Sequence, residues 1–340
     1  MNKDALILIP SYEPDTLLFN TVKSLYDAGF PILIVNDGSS KEYDDIFNEV
    51  KPYATYLEND RNHGKGYTLK HGFSKVKELF PDVRFVITVD GDGQHSIKDI
   101  IRLYNELEAS NELVFGVRHF HDMPFKSRFG NDFSKISRSL LTKQYVPDDQ
   151  CGLRGFPVRY IDELLKIKGD KYEYEMNQVV RFQLKQYIIR TITIETIYLD
   201  NNSRSHFSPF RDTFRIQSII FLHAIPALIC LGLLIFSMIF IYSKGLRPLS
   251  LVSLICYSGI TLIYLILLAI IYPTKQFKKR FTRELLYAFI KLIFVDLLLE
   301  LTVTLLKWPY QVMMPIIIIF STSLNVLLTW AFRKIYPTSR

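Results

Sequence analysis

A short apolar run that leads into an acidic turn, residues 85–95, constrains the fold of this chain more than any other feature. Residues 85–89 (Phe-Val-Ile-Thr-Val) are β-prone and show no polar alternation. A strand with two apolar faces is buried on both sides, as in parallel sheets that carry helices on each face. The run therefore predicts a strand at the centre of a parallel α/β sheet.

The turn that follows this strand, Asp90-Gly91-Asp92-Gly93-Gln94, is a candidate metal site. On extended backbone, side chains two residues apart point the same way, so Asp90 and Asp92 can reach a common point. Two carboxylates and the amide oxygen of Gln94 form an oxygen-only donor set that suits Mg²⁺ or Mn²⁺. The same letters also fit a plain turn, because Asp and Gly form turns for local reasons.

Apolar β-prone runs alternate with helical runs through the first 120 residues. We expect strands at about 5–9, 32–35, 55–57, 84–89 and 113–117. We expect helices between them, at about 17–28, 41–50, 66–79 and 97–109. This alternation predicts a doubly wound, Rossmann-like and mostly parallel sheet, which binds ligands at the carboxyl ends of its strands.

Polar turns follow three of these strands, those that end near residues 9, 35 and 89. The carboxyl ends of parallel strands share one edge, so we expect the three turns to converge on one crevice. There Glu13 and Asp37 can hydrogen-bond the base and sugar of a nucleotide. Lys65, at a helix start, can hold an anion. Asp37 also fits a turn-forming role, and Lys65 also fits a solvated first-turn position.

Four segments then carry a family resemblance: 9–13 (Ile-Pro-Ser-Tyr-Glu), 35–40 (Val-Asn-Asp-Gly-Ser-Ser), 62–66 (Asn-His-Gly-Lys-Gly) and 89–95 (Val-Asp-Gly-Asp-Gly-Gln-His). In order and spacing they resemble the motifs of glycosyltransferase family 2. The resemblance implies a GT-A fold, a nucleotide-sugar donor and a divalent metal. It places six residues at the donor: Pro10, Tyr12, Glu13, Asp37, Lys65 and Asp90. Asn36 departs from the pattern, which usually has paired aspartates there.

The next segments narrow the resemblance to the polyprenyl-phosphate glycosyltransferases, the group that includes dolichol-phosphate mannose synthase. They are 116–118, 123–131 and 149–156. In that group basic residues here engage the acceptor phosphate, and the matching positions are Arg118 and Arg128. A guanidinium group pairs bidentately with phosphate and keeps its charge. Both also fit surface arginines near a membrane, and Arg154 fits either phosphate binding or a structural role in its loop.

Glu175 lies in a region where family-2 enzymes with hydroxyl acceptors carry their general base, so the resemblance makes it a catalytic candidate. A phosphate acceptor is already an anionic nucleophile and needs no strong base. Glu175 would then orient the sugar or the acceptor.

The chain after residue 217 is strongly apolar, and four segments are each long enough to span a bilayer: 218–242, 249–272, 285–306 and 312–332. Residues 201–217 carry phenylalanines and arginines at the spacing of an interfacial helix. By the positive-inside rule, the basic loop 274–283 and both termini are expected in the cytoplasm. The net charge of +7 is modest, which favours an anionic membrane surface over nucleic acid. Lys291, Asp296 and Glu300 are unfavourable in hydrocarbon unless paired, and they fit a polar groove or a contact in a homo-oligomer.

The sequence thus predicts a cytoplasmic GT-A domain over 1–200, an interfacial segment over 201–217 and a membrane domain of four helices over 218–340. The predicted reaction is metal-dependent, inverting transfer of one sugar from a UDP- or GDP-sugar to a polyprenyl phosphate. Two alternatives remain open: transfer to a lipid hydroxyl such as diacylglycerol, and an inactive membrane scaffold or flippase partner.

Overall fold

The computed structural model describes residues 3–118, 148, 151–185 and 187–195, together with scattered positions between 229 and 317. The chain divides into two compact units. The first comprises 1–135, 146–183 and 187–219, and the second comprises 136–145, 184–186 and 220–340.

The first unit alternates strands and helices as the sequence predicts. Its strands are β1 (Ala5–Ser11), β2 (Ile32–Asn36), β3 (Thr55–Glu58), β4 (Phe85–Thr88), β5 (Leu113–Arg118), β6 (Arg154–Pro157) and β7 (Ile189–Ile194). Its α-helices are α1 (Leu17–Asp27), α2 (Asp44–Val50), α3 (Lys65–Leu79), α4 (Ile97–Ser110), α5 (Ile161–Leu165) and α6 (Glu173–Leu184). Single 3₁₀ turns at Lys41–Tyr43 and Val158–Tyr160 precede α2 and α5.

The seven strands form one sheet in the order β3-β2-β1-β4-β6-β5-β7. The pairs β3–β2, β2–β1, β1–β4 and β5–β7 are parallel. Only β6, among the strands described, runs antiparallel, and it pairs with β4 on one side and β5 on the other. The predicted α/β fold with a mostly parallel sheet is confirmed.

The central strand β1 shows why the sheet is covered on both faces. Ile7 and Ile9 pack into an apolar cluster that includes the inner residues of α1, α2 and α4. Leu6 and Leu8 point the other way, into a second cluster with α3, α5 and α6. Successive strand residues alternate between faces, so an unbroken apolar run serves two cores at once.

Helix ends follow local chemistry. Ser96 caps α4, because its Oγ accepts a hydrogen bond from the Asp99 N–H at 3.1 Å. Asn111 ends the same helix in the left-handed conformation, φ 51°. Because Ser96 is the cap, α4 begins at Ile97, only a few residues after the acidic turn.

In the second unit the longest described element is a π-helical turn at Glu300–Leu305. Large apolar side chains there are exposed, for example Phe236 at 70% and Leu305 at 69%. Across the described part of the chain, no helix combines the length and apolarity that crossing a membrane requires. Most of the four segments predicted to span the bilayer lies outside the described residues, as do the whole interfacial segment 201–217, Lys291 and Asp296.

Candidate active site

The turn after β4 places Asp90 at the carboxyl edge of the sheet. Asp90 Oδ1 lies 2.7 Å from the Lys65 ammonium, and its Oδ2 lies 3.6 Å from His95 Nε2. Asp92 Oδ1 accepts a hydrogen bond from the Gln94 N–H at 3.1 Å. In the turn that the sequence predicts as a metal site, Asp90 therefore already has the Lys65 ammonium group and the His95 imidazole ring as neighbours.

Lys65 lies between two carboxylates. Its ammonium group is 2.7 Å from Asp90 Oδ1 and 2.9 Å from Glu175 Oε1. Burial disfavours both charged forms, yet the facing charges dominate: the pKa of Lys65 is raised by Asp90 and Glu175, and the pKa of Asp90 is lowered by Lys65 and His95. Burial and the neighbouring Asp90 charge raise the pKa of Asp92.

Glu175 is 6% exposed and lies in the first turn of α6. Its position depends on Arg154, the first residue of β6. The Arg154 guanidinium donates to the Glu175 backbone carbonyl at 2.6 Å and to Gln178 Oε1 at 2.8 Å. It also donates to the Cys151 carbonyl at 2.9 Å and stacks on Phe115, 4.8 Å from the ring centroid.

Arg154 itself is 1% exposed. Its guanidinium donates to protein oxygens of the segment before β6 and of α6. Of the two roles that the sequence leaves open for Arg154, these contacts favour the structural one, in which it ties β6 to α6.

Asp37 is committed to the start of α3. Its Oδ1 accepts from Asn59 Nδ2 at 2.8 Å and from the His63 N–H at 3.0 Å, and its Oδ2 accepts from the Gly64 N–H at 2.7 Å. It is 3% exposed. Asp37 thus holds the helix start in the manner of an anion at a helix N-terminus, and hydrogen bonding to a donor stays a prediction.

The glycine turn at the start of α3 packs tightly against the chain before α6. A Cβ at Gly64 would lie 2.6 Å from the Asp170 carbonyl oxygen, and one at Gly66 would lie 2.5 Å from the Tyr174 Cβ. The Tyr67 N–H donates to the same Asp170 carbonyl at 3.0 Å. Atoms of the chain before α6 therefore lie where an anion was expected at this turn, and Lys65 extends into the site through its side chain.

The turn after β1 is joined to the turn after β2. The Glu13 N–H donates to Ser39 Oγ at 2.8 Å, and Glu13 adopts a left-handed φ of 48°. The Tyr12 hydroxyl bonds to the Glu13 carboxylate, which raises the pKa of Tyr12, and also to Asn62. Pro10 lies in β1 beside Val35 of β2. Pro10, Tyr12 and Glu13 therefore lie at one end of the sheet with Asp37, as predicted from their strand positions.

Arg118, the last residue of β5, forms a bidentate pair with Asp148: Nε to Oδ2 at 2.7 Å and Nη2 to Oδ1 at 3.1 Å. Its backbone N–H also donates to Asp148 Oδ2 at 3.2 Å. Asp148 is 4% exposed, so this pair fixes the guanidinium at the end of the strand. Arg128 lies outside the described residues.

Three features of the site went unassigned in the sequence: Asp148, Gly152 and His95. A Cβ at Gly152 would lie 2.3 Å from Asp90 Oδ2, so glycine there permits the close approach of Asp90. Asp148 directly precedes the segment 149–156 and Gly152 lies within it, but no spacing rule reports such contacts. His95 follows Gln94 directly, and its place in the motif was its only signal.

The donor set fits a divalent cation in part. Within the described residues no group of three or more His, Cys, Asp or Glu side chains is arranged to hold a metal ion. Mg²⁺ is usually bound by one or two carboxylates together with substrate phosphates, so a complete protein cage is not required. Asp90 and Asp92 supply the carboxylates, and both nitrogens of the buried His95 ring lack a hydrogen-bond partner among the residues that the structure describes.

This unit is an α/β domain with a mostly parallel sheet and an acidic site at the carboxyl edge of its strands. Residues 6–165 match the sequence model of the family described as "Glycosyl transferase family 2". The match confirms the predicted enzyme class: the chain is a glycosyltransferase.

The chain is similar to the UDP-N-acetylglucosamine--dolichyl-phosphate N-acetylglucosaminyltransferase of Methanococcus voltae, with 28% identity over 57% of this chain and 86% of that protein. It is similar to glycosyltransferase AglJ of Haloferax volcanii, with 24% identity over 61% of this chain and 67% of that protein. The fold is also similar to that of glucosyl-3-phosphoglycerate synthase from Mycobacterium tuberculosis, which was solved with Mn²⁺ and UDP. That match covers 64% of this chain and 77% of the synthase chain, with a TM-score of 0.47 and 13% identity.

Proposed function

We propose that this chain transfers one sugar from a UDP- or GDP-sugar to a polyprenyl phosphate at a membrane surface, with inversion at the anomeric carbon. An acceptor phosphate oxygen attacks that carbon while its bond to the nucleotide diphosphate breaks on the opposite face. The contact that carries the proposal is the bridge that Lys65 forms between Asp90 and Glu175. The Methanococcus voltae relative is named as a dolichyl-phosphate N-acetylglucosaminyltransferase, which supports the same acceptor class.

The contacts of Lys65 support one of the two acceptor classes. Glu175 is the residue that would serve as general base toward a hydroxyl acceptor. Its Oε1 already holds the Lys65 ammonium at 2.9 Å, and its helix is fixed from behind by Arg154. A phosphate oxygen is anionic at neutral pH and needs no base, so a carboxylate that serves to orient Lys65 is compatible with it. The geometry therefore favours the phosphate acceptor over a lipid hydroxyl.

On the donor side, Asp90, Asp92 and Gln94 would hold Mg²⁺ or Mn²⁺, which when bound neutralises charge on the departing diphosphate. Lys65 fixes the Asp90 carboxylate, and the backbone of the turn fixes Asp92. Tyr12, Glu13 and Asp37 line the end of the sheet where the nucleoside would lie. These residues contribute by positioning the donor rather than by proton transfer.

On the acceptor side, Arg118 and Arg128 are proposed to hold the phosphate. Arg118 reaches the end of β5 with its guanidinium oriented by Asp148. The lipid tail implies a bilayer, and the exposed apolar side chains of the second unit, such as Phe236 and Leu305, support lipid contact. We propose a multi-pass membrane protein whose catalytic domain and termini are cytoplasmic, where nucleotide sugars are made.

The reaction is tested with a panel of radiolabelled UDP- and GDP-sugars, undecaprenyl phosphate and the full chain in detergent, with and without Mn²⁺ or Mg²⁺. Labelled lipid that forms from one donor and only with metal is the expected result. Nucleotide binding without any transfer would move the acceptor to another lipid. Absence of nucleotide binding would favour the inactive scaffold.

Glu175→Gln separates the two acceptor classes. The amide keeps a hydrogen bond to Lys65, so we expect a loss of turnover of about tenfold or less toward a phosphate acceptor. A general base contributes about 10²–10⁴-fold, so a loss of that size would support a hydroxyl acceptor instead. Glu173→Gln is the matched control, because Glu173 lies two residues before Glu175 in the first turn of α6.

A further inference from the structure

The His95 ring is buried without a hydrogen-bond partner. Its side chain is 7% exposed, and neither Nδ1 nor Nε2 bonds to any group in the part of the chain that the structure describes. Buried polar atoms are nearly always paired, and an unpaired one calls for an explanation such as an absent ion. The site described above assigns metal binding to Asp90, Asp92 and Gln94 and assigns none to this imidazole, which faces Asp90.

The position of the ring points toward Asp90. His95 Nε2 lies 3.6 Å from Asp90 Oδ2, which is too long for a direct hydrogen bond. Two ligands that each lie about 2.1 Å from one cation are separated by about 3.0–3.5 Å at angles near 90–110°. The separation of the imidazole nitrogen and the carboxylate oxygen is thus close to that of two ligands of a single metal ion. Lys65 binds the other oxygen of Asp90 and leaves Oδ2 on the side of His95.

We infer that His95 supplies a ring nitrogen to the divalent metal beside Asp90, so that these two side chains begin a mixed nitrogen and oxygen site that the donor phosphates complete. This inference rests on the metal-dependent transfer proposed above. A nitrogen ligand changes metal selection, because imidazole suits later transition metals whereas Mg²⁺ prefers oxygen ligands alone. We therefore expect the chain to bind Mn²⁺ at least about tenfold more tightly than Mg²⁺, and to lose that preference when the imidazole is removed.

The direct test is pulsed electron paramagnetic resonance of the full chain in detergent with substoichiometric Mn²⁺. Histidine labelled with ¹⁵N identifies any coupled nitrogen as a histidine nitrogen in the wild-type chain, without a substitution. His95→Gln removes the imidazole and keeps a polar side chain of similar reach, and His95→Asn is the second variant if glutamine impairs folding. His63→Gln is the matched control, because that ring pairs with the exposed Asp60 at 2.7 Å.

A histidine nitrogen coupling that is present in the wild type and in His63→Gln but lost in His95→Gln is the expected result. Bound Mn²⁺ without nitrogen coupling, or a coupling retained in His95→Gln, would overturn the role of His95 and leave metal-dependent transfer intact. Absence of Mn²⁺ binding together with metal-independent transfer would overturn both.

Discussion

Two parts of the α/β unit meet at the same edge of the sheet and are built in different ways. The turns after β1, β2 and β4 follow parallel strands, so the direction of the chain alone brings them together. The segment before β6 instead leads into an antiparallel strand, in which Arg154 pairs with Thr88 of β4. The Thr88 hydroxyl donates to the Gly152 carbonyl at 2.7 Å, which fixes that segment against the acidic turn.

The donor side is built from turns at the ends of parallel strands, whereas the acceptor side depends on the segment that leads into β6. Asp92 is held by the Gln94 N–H within its own turn, and Asp37 is held by the Gly64 N–H at the start of α3. Glu175 depends on Arg154, 21 residues away, and Asp90 depends on the absence of a side chain at Gly152. Substitutions on the two sides should therefore fail in different ways.

The largest effect is expected on the donor side, from Asp92→Asn. It removes one carboxylate of the proposed metal site but changes no packing, so kcat/KM should fall by about 10³-fold or more while thermal stability is retained. Steady-state kinetics with Mn²⁺ titration measures this. Asp82→Asn, at an exposed position, is the control, and near-normal turnover of Asp92→Asn would remove Asp92 from the metal site.

Gly152→Ala tests whether the acceptor-side segment controls a donor-side residue. The new Cβ would lie 2.3 Å from Asp90 Oδ2 and must displace that carboxylate. We expect about a 100-fold loss of activity, since small misplacement of a catalytic group has effects of this order. Gly232→Ala is the control because no atom of the described part of the chain lies within 4 Å of its Cβ position. Unchanged kinetics in Gly152→Ala would show that the position of Asp90 does not matter.

Lys65→Met breaks the contact that joins the two sides. Asp90 and Glu175 would then face each other without a cation, so we expect turnover to fall by about 30-fold and partial rescue by Lys65→Arg. Because Glu175 acts through Lys65, Glu175→Gln should add little in the Lys65→Met background. Fully additive losses in this cycle would contradict the arrangement. Lys70→Met, which removes the pair with the exposed Asp170, is the control.

Arg154→Met is expected to act on stability more than on chemistry. It removes hydrogen bonds to the Cys151 and Glu175 carbonyls and leaves those buried acceptors unpaired, which we expect to lower the free energy of unfolding by about 2 kcal/mol. Chemical denaturation of the α/β unit measures this within the full chain. Arg159→Met, at a half-exposed site, should change stability little, and equal effects would show that burial of Arg154 is unimportant.

The same contrast explains what the sequence could predict. The strands β1, β2 and β4 are continuous apolar runs, and Ser96 and Gly29 mark helix boundaries. The predicted boundaries in the parallel part of the fold therefore agree with the structure to within a few residues. Strand β6 was not expected, because Arg154-Gly155-Phe156-Pro157 contains Gly and Pro and shows no strand pattern. It is a strand only because β4 and β5 pair with it from both sides.

The site shows the same limit. Asp90, Asp92 and Lys65 were identified from the motifs, and the structure brings Asp90 and Lys65 into contact. The bridge from Lys65 to Glu175 joins residues 110 positions apart, and no local pattern indicates it. The structural role of Arg154 depends on burial, which a single arginine in a glycine-rich segment does not reveal.

The measurement that tests the central claim most directly is transfer from the labelled donor to undecaprenyl phosphate and to undecaprenol, which differ only in the phosphate. Both acceptors are presented in the same detergent with Mn²⁺ and with chelator. We expect labelled product from the phosphate alone, and only with metal. Product from undecaprenol at a comparable rate, or transfer that persists in chelator, would contradict it.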